Sequence, residues 1–233
     1  HEFRQSPFVF ENYSPGGIAS RQYLTEENSL KIDAIRQTIE EWYDTGLISK
    51  SEYYYLLAGL IEAVPYVSNI AGTYGAFLKH WDKRSENPLA LIRLPVTNNE
   101  YQNQSHNQDA NTLINRIEGN ILYLDPPYNQ RQYISNYHLL ETIAKYDNPE
   151  IKGITGPRSD DSAYSSFSRP KEAFRSFDKL IDQARFDLII VSYSTEGILS
   201  EEEIIAILEF HGVAKTLKIK RIPYRRYKHT SAP

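Results

Sequence analysis

The chain has 233 residues, of which 40% are hydrophobic and 24% are charged, and its formal net charge is −4. This composition is typical of one large globular domain, or of a domain with an insertion. It excludes a disulfide framework and a thiolate metal site, because there is no cysteine. No apolar run approaches the roughly 20 residues of a membrane helix, and no signal segment opens the chain, so a cytoplasmic location is expected.

The first hundred residues predict mainly helices. Residues 1–24 are rich in Pro, Ser and Gly and are expected to be an irregular lead-in. A helix is predicted from the capping residue Thr25 to Gly46, and a second from Ser49 to Pro65, because apolar residues recur there every three or four positions.

A polar stretch follows, and then the pattern changes. Residues 66–81 are expected to form a short helix or a loop, and loops are predicted over 82–107, around one strand near Leu89–Leu94. Beyond Asp109, strands and helices alternate. The predicted elements are a short helix after Asp109, a buried strand Ile121–Leu124, a helix 135–146, a loop 150–169, a helix 170–184, a buried strand Leu188–Val191, a helix 201–211 and a strand Val213–Ile222.

Apolar strands that alternate with helices predict an α/β fold with a mostly parallel sheet. We divide the chain into the lead-in, a mostly helical subdomain over 25–107 and an α/β portion over 108–233. The helical subdomain interrupts the pattern and is the expected place for recognition loops.

The most informative segment follows the first buried strand. In open parallel sheets, reactive residues lie just beyond the carboxyl ends of strands. The two prolines there restrict the backbone and hold the acid and the neighbouring carbonyls in place. The segment consists of Asp125, Pro126, Pro127 and Tyr128.

This combination suits an exocyclic amine on a planar ring. The Asp125 carboxylate and the Pro126 carbonyl could accept both amino hydrogens and direct the nitrogen lone pair at a methyl donor. The Tyr128 ring could stack on the base, which contributes about 1–3 kcal/mol. Such an amine cannot be reached inside a duplex, so the base must be flipped out.

The segment resembles the signature of amino-methyltransferases that act on nucleic acid, and its Asp form resembles the DNA adenine methylase family. The resemblance extends through Tyr133 and Tyr137 and covers about residues 8–228. It implies a Rossmann-like sheet, partial in this chain, and S-adenosylmethionine as the cofactor. It also implies transfer of a methyl group to the 6-amino group of adenine in double-stranded DNA.

Other site residues follow from the resemblance. Asp109 and Ala110 are similar to a segment that lines the adenine end of the cofactor, where Ala110 replaces the usual Phe; Asp125 also lies at the cofactor. Ser192 and Tyr193 resemble a second strand-end motif of the target-base pocket. Each has an alternative: Asp109 could only cap a helix, Ser192 and Tyr193 could only end a strand, and Tyr133 and Tyr137 could be packing residues.

DNA contacts are expected from basic residues, since the net charge gives no general attraction. The candidates are Lys79, Arg131, Lys218, Lys220 and Arg221. The last three belong to a basic run from Lys215 to Lys228, which could instead be a solvated edge strand. The six histidines have no ligand spacing, so no metal site is predicted.

One expected element is missing. The family carries a glycine-rich turn after its first strand, where the backbone approaches the methionine end of the cofactor, and this chain has none. The chain also contains no methionine. We therefore expect an upstream segment or a second chain to supply the turn. The alternative functions are methylation of cytosine or RNA, and a non-catalytic DNA-binding or specificity subunit.

Overall fold

The computed structural model describes residues 6–159, 164–213 and 215–223. The chain divides into two compact units. The helical unit contains the residues up to 105 together with 131–165, and the sheet unit contains 106–130 and the residues from 166 onward. The sequence analysis placed 131–165 in the α/β portion, whereas the structure groups them with the first helices.

The helical unit is built on three helices: α1 (Phe8–Tyr13), α2 (Glu26–Asp44) and α3 (Lys50–Ala63). The predicted caps of α2 and α3 are confirmed. The Thr25 side chain accepts a hydrogen bond from the Asn28 amide, and Ser49 forms a reciprocal capping box with Glu52. A 3-10 turn over Val64–Val67 follows α3, where the proline was expected to end it.

Helix α1 corrects the expectation that residues before 25 are irregular. The Asp33 carboxylate, on α2, accepts hydrogen bonds from the Val9 and Phe10 amides at 2.9 Å. It also accepts one from the Tyr146 hydroxyl at 2.6 Å. An acid at a helix N-terminus satisfies amides that lack partners within the helix, so a residue distant in sequence stabilises α1.

Burial perturbs two groups in this unit in opposite directions. Desolvation raises the pKa of Asp33 to about 6, although its hydrogen bonds to Tyr146, Val9 and Phe10 act to lower it. Desolvation lowers the pKa of His138 to about 4, and the hydrogen bond to the Tyr74 carbonyl, at 2.8 Å, partly opposes this. Both groups are therefore mostly neutral in the fold near pH 5.

This burial predicts a pH-dependent stability for His138. The imidazole stays neutral when folded but protonates near pH 6.5 when unfolded, so stability falls as pH drops from about 6.5 towards 4. A shift of this size corresponds to about 3 kcal/mol. The difference in free energy of unfolding between the protein and a His138→Gln variant should change by about that amount between pH 7 and 4. A difference that stays constant with pH would contradict this.

The segment after residue 130 returns to the helical unit as α5 (Tyr133–Asn136) and α6 (His138–Lys145). One continuous helix over 135–146 was predicted, and this was wrong because the backbone leaves helical geometry at Tyr137, with φ −127° and ψ 20°. Helix α6 buries His138, Leu139 and Ile143 in the core of the unit.

The sheet unit contains two parallel strands, β1 (Gly119–Leu124) and β2 (Phe186–Val191). Its helices are α4 (Ala110–Leu113), α7 (Pro170–Gln183) and α8 (Glu201–His211). The predicted helices over 170–184 and 201–211 are confirmed: Pro170 begins α7, and Ser200 forms a capping box with Glu203 at the start of α8. Helices and a parallel sheet together give the α/β class that was predicted.

Among the described residues of the sheet unit, hydrophobic packing is present on one face of this sheet. Leu122, Leu124, Ile189 and Val191 pack against the hydrophobic cluster that contains Phe177. On the other face Ile121 and Tyr123 are each 61% exposed, and their strand partners Leu188 and Ile190 are 51% and 43% exposed. The prediction of fully buried strands was therefore wrong for this face.

Two predicted strands are not formed. Residues 89–94 run extended beside α3, and the Ile92 amide bonds to the Gly59 carbonyl instead of to another strand. Of the predicted strand Val213–Ile222, the described residues pair with no strand either. Among the described residues, no helix is long and apolar enough to cross a membrane.

Candidate active site

The two strands end side by side in the sheet unit. Leu124 pairs with Val191 in the parallel register. One residue further, the Ser192 amide donates a hydrogen bond of 2.8 Å to the Leu124 carbonyl. Asp125 and Ser192 therefore begin neighbouring loops at the carboxyl edge of the sheet, as a site at parallel strand ends requires.

The Asp125 side chain faces solvent at this edge. Asp125 is exposed, and Pro126, Pro127 and Tyr128 are partly buried. Within the described part of the chain, the Asp125 carboxylate forms no hydrogen bond or ion pair. Its oxygens are thus available to accept hydrogen bonds from a ligand, while the prolines fix the backbone that carries them.

A backbone contact holds the end of this loop. The Ile198 amide donates a hydrogen bond of 2.8 Å to the Tyr128 carbonyl. The Leu199 amide donates to the Tyr193 hydroxyl at 3.2 Å. The loop after β2 therefore binds both to the Asp-Pro-Pro-Tyr segment and to its own tyrosine.

Gly197 was missed by the sequence analysis. A Cβ atom there would lie 2.2 Å from the Tyr193 ring and 2.9 Å from the Ser194 carbonyl oxygen. Such distances are far below van der Waals contact, so only glycine lets the ring pack here. A glycine four residues after a strand-end tyrosine was the available signal, but the spacing alone does not distinguish this close approach from an ordinary turn.

Asp109 lies in the same unit as Asp125, at the start of α4. One of its carboxylate oxygens accepts a hydrogen bond from the Thr112 amide at 3.0 Å. The capping role considered for Asp109 is therefore present. Asp109 and Ala110 are both exposed, and contact with a cofactor stays a prediction.

Tyr133 and Tyr137 lie in the helical unit. Their rings stack on each other, with centroids 5.9 Å apart and planes 19° from parallel. Tyr133 is 57% exposed and Tyr137 is 38% exposed. They are thus exposed aromatic surface and not core packing, and their place in a target-base pocket remains a prediction.

The predicted DNA-binding residues are on the surface. Lys79, Arg131, Lys218, Lys220 and Arg221 are all exposed. Arg221 pairs with Glu201 through two hydrogen bonds, and this carboxylate raises the pKa of the guanidinium. The remainder of the basic run, from Tyr224 onward, lies outside the described residues.

Groups of acidic and histidine side chains were also considered as metal ligands. Among the residues that the structure describes, no three of them are placed to hold a metal ion.

Known proteins resemble almost the whole chain. A type II methyltransferase, M.FokI of Planomicrobium okeanokoites, is 54% identical over 228 residues, which are 98% of this chain and 35% of that protein. The modification methylase StsI of Streptococcus sanguinis is 47% identical over 92% of this chain and 33% of its own length. The type II methyltransferase M.NlaIII of Neisseria lactamica is 41% identical over 94% and 64%, respectively.

The chain therefore spans about a third of the length of M.FokI and StsI. No solved structure matches it significantly. Residues 4–207 match the model of the D12 class N6 adenine-specific DNA methyltransferase family. This match covers well over half of the chain, and the chain belongs to that family.

Proposed function

We propose that the protein containing this chain transfers a methyl group from S-adenosylmethionine to the 6-amino group of adenine at specific sites in double-stranded DNA. The observation that carries this is the exposed Asp125 carboxylate, at the end of a parallel strand and followed by two prolines. Family membership supports the same chemistry.

The proposed role of the Asp-Pro-Pro-Tyr segment is to orient the amine. The Asp125 carboxylate and the Pro126 carbonyl accept the two amino hydrogens, so the nitrogen lone pair turns out of the ring plane. The Tyr128 ring stacks on the flipped base, beside Ser192 and Tyr193 at the neighbouring strand end. Tyr133 and Tyr137 are proposed as base contacts on the family resemblance alone. The nitrogen would form its new bond to the methyl carbon as the bond from that carbon to the sulfonium sulfur breaks, with the electron pair staying on sulfur. The methylated nitrogen would then lose one proton to water at the exposed Asp125 edge.

S-adenosylmethionine, when bound, supplies an electrophilic methyl group. The chain offers a carboxylate for the cofactor's adenine, because Oδ1 of Asp109 caps α4 and Oδ2 makes no hydrogen bond within the described residues. Nothing similar is present for the methionine end: β1 is followed by two prolines and β2 by Ser192 and Tyr193. The residues present thus fit only part of the cofactor.

We propose that polypeptide outside these 233 residues, in the same chain or in a second subunit, supplies the glycine-rich turn of a larger Rossmann-like sheet. The support is the uncovered apolar face of β1 and β2, formed by Ile121, Tyr123, Leu188 and Ile190. Exposed apolar patches commonly mark interfaces. Calorimetric titration should show S-adenosylmethionine binding to the full product of the gene and little binding to residues 1–233 alone.

The test of the function is direct. The full gene product is incubated with labelled S-adenosylmethionine and either duplex DNA or RNA of the same sequence, and the products are digested to nucleosides. We expect label in N6-methyladenine from the duplex. Label in N4-methylcytosine, or in RNA alone, would instead establish one of the alternative amino-methyltransferase functions. DNA binding without transfer would indicate a non-catalytic subunit.

The basic residues near the C-terminus provide a second prediction. If Lys218 and Lys220 each neutralise a phosphate, changing both to Ala should lower the slope of log affinity against log salt by about 1.8 in duplex binding. Adding Arg221→Ala should change the slope less, because Glu201 already pairs with that side chain.

The matched control for this pair is Lys171→Ala with Lys179→Ala, since both of these lysines are exposed on α7 in the same unit. This control should leave the salt slope unchanged. If the variant with both Lys218 and Lys220 changed has the same salt slope as the unmodified protein, these lysines belong to an ordinary solvated surface and do not contact phosphate.

A further inference from the structure

A short hairpin over residues 150–159 lies in the helical unit. Ile151 and Arg158 form an antiparallel bridge. The Lys152 amide donates to the Pro157 carbonyl, and the Ser159 amide donates to the Glu150 carbonyl, both at 3.2 Å. The loop between the arms is six residues long, over 152–157.

The tip of this hairpin is anchored by buried side chains. Arg21, Tyr13 and Tyr23 are at most 6% exposed. Between them they donate hydrogen bonds to four consecutive carbonyl oxygens. These bonds are Arg21 Nη2 to Gly153 at 2.7 Å, Arg21 Nε to Ile154 at 3.0 Å, Tyr23 to Thr155 at 2.8 Å and Tyr13 to Gly156 at 3.0 Å. Tyr23 shares its one hydroxyl hydrogen between Thr155 and the Tyr74 carbonyl, which lies at 2.7 Å. The loop is therefore fixed before any ligand arrives, which lowers the entropic cost of binding.

The anchored hairpin forms one wall of an open pocket of about 450 Å3, and α5 contributes to the other wall. The side chains that bear on its chemistry are Ser135, Asn136, Lys152, Thr155, Arg158 and Ser159. They provide hydroxyl and amide groups and two cations, and none of the lining residues that the structure describes is acidic. Glu150 and Asp147, which pair with Lys152 and Arg158, lie outside this lining. Such a lining favours an anionic, oxygen-rich ligand.

Arg158 gives independent support for an anion. Its side chain is only 4% exposed, and its two Nη groups donate to the Asp147 carboxylate at 3.1 and 2.7 Å. Its Nε–H is buried and has no acceptor in the described part of the chain. A buried cationic donor without an acceptor is unfavourable, and an oxygen that enters the pocket would supply one after a small side-chain shift.

We propose that this pocket binds a backbone phosphate of the DNA substrate, held by Lys152 and the Thr155 hydroxyl with Arg158 behind them. The inference rests on the proposed function, because it takes DNA as the ligand. The same chemistry would also suit the carboxylate of S-adenosylmethionine, and the experiment separates the two sources.

The experiment compares duplex binding by the full gene product and by Lys152→Ala and Thr155→Val variants over a range of salt concentrations. Lys152→Ala should weaken binding several-fold at 0.1 M salt and lower the salt slope by at most about 0.9, the value for one phosphate, because Glu150 already pairs with this lysine. Thr155→Val should weaken binding without changing the slope, because the lost group is neutral. Both positions are at least partly exposed, so the fold should survive.

The matched control is Lys145→Ala. Lys145 and Lys152 are both exposed lysines of this unit, each paired with a glutamate, at 2.9 and 3.0 Å. A methylphosphonate removes the charge of one phosphate, and it is placed at each position of the DNA strand in turn. At one position it should weaken DNA binding by the unmodified protein and have no further effect on DNA binding by the Lys152→Ala variant.

Three outcomes would overturn the proposal. If the Lys152→Ala and Lys145→Ala variants have the same salt slope, Lys152 does not contact a phosphate. Loss of S-adenosylmethionine affinity with unchanged DNA affinity would assign the pocket to the cofactor. If the unmodified protein does not bind duplex DNA, the proposed function itself fails and this inference fails with it.

Discussion

Replacing Asp125 with Ala should lower the rate of methyl transfer by at least about 10²–10³-fold, the loss typical of removing one oriented hydrogen-bonding group from a reacting centre. The carboxylate is exposed and makes no hydrogen bond within the described residues, so its removal leaves no buried partner unsatisfied. Fold stability and duplex affinity should therefore change little. Single-turnover transfer of labelled methyl groups measures the chemical step separately from product release.

The control for this variant is Asp187→Ala. Asp187 is an exposed aspartate near the opposite end of β2, where it accepts a hydrogen bond from Asn120 at 2.8 Å. Its removal should leave the transfer rate within about twofold of normal, as for a surface change outside the reacting centre. If the Asp125 and Asp187 variants transfer methyl groups at equal rates, Asp125 does not orient the amine, because both changes delete one carboxylate from the same unit.

The sequence predicted the strand-end edge because its signals are local. A run of apolar β-formers followed by Asp-Pro-Pro-Tyr specifies the strand and the restricted corner within ten residues. The pairing of Leu124 with Val191 then follows from parallel strands that end together. The sequence did not predict the need for glycine at position 197, because that need arises from the position of the Tyr193 ring in the fold.

Helix prediction succeeded where the cap was local and failed where it was distant. Thr25, Ser49 and Ser200 cap their own helices with their own side chains. Helix α1 has no such cap, because its N-terminal amides bond to Asp33, more than twenty residues away. A contact of that separation leaves no periodic trace in the sequence.

The strands were predicted from hydrophobicity alone, and this explains the errors in their burial and number. Apolar runs indicate burial in the complete sheet, but they do not show which residues provide the cover. The second face of β1 and β2 is apolar in sequence and exposed among the residues that the structure describes. Residues 89–94 have a strand-like composition, yet the Ile92 amide bonds to the Gly59 carbonyl of α3, and no ladder forms among the described residues.

Arg21 carries the prediction with the largest expected effect on stability. Its guanidinium donates to the carbonyl oxygens of Asn12, Gly153 and Ile154 at 2.7–3.0 Å, and the residue is 6% exposed. Hydrogen bonds from charged donors contribute about 1.5–3 kcal/mol each, and they are not additive. Arg21→Ala should therefore lower the free energy of unfolding by about 3–5 kcal/mol, measured by urea denaturation.

Control variants distinguish the loss of a buried anchoring side chain from the loss of a surface charge. Arg169, about half exposed and paired with Glu172, is the matched arginine, and its change to Ala should alter stability by less than about 0.5 kcal/mol. Arg21→Lys keeps the charge but loses the planar arrangement of donors, so it should recover only part of the loss. If Arg21→Ala and Arg169→Ala unfold at the same urea concentration, the hairpin at residues 150–159 is not held by this side chain, and the preorganisation assigned to its pocket must come from Tyr13 and Tyr23 alone.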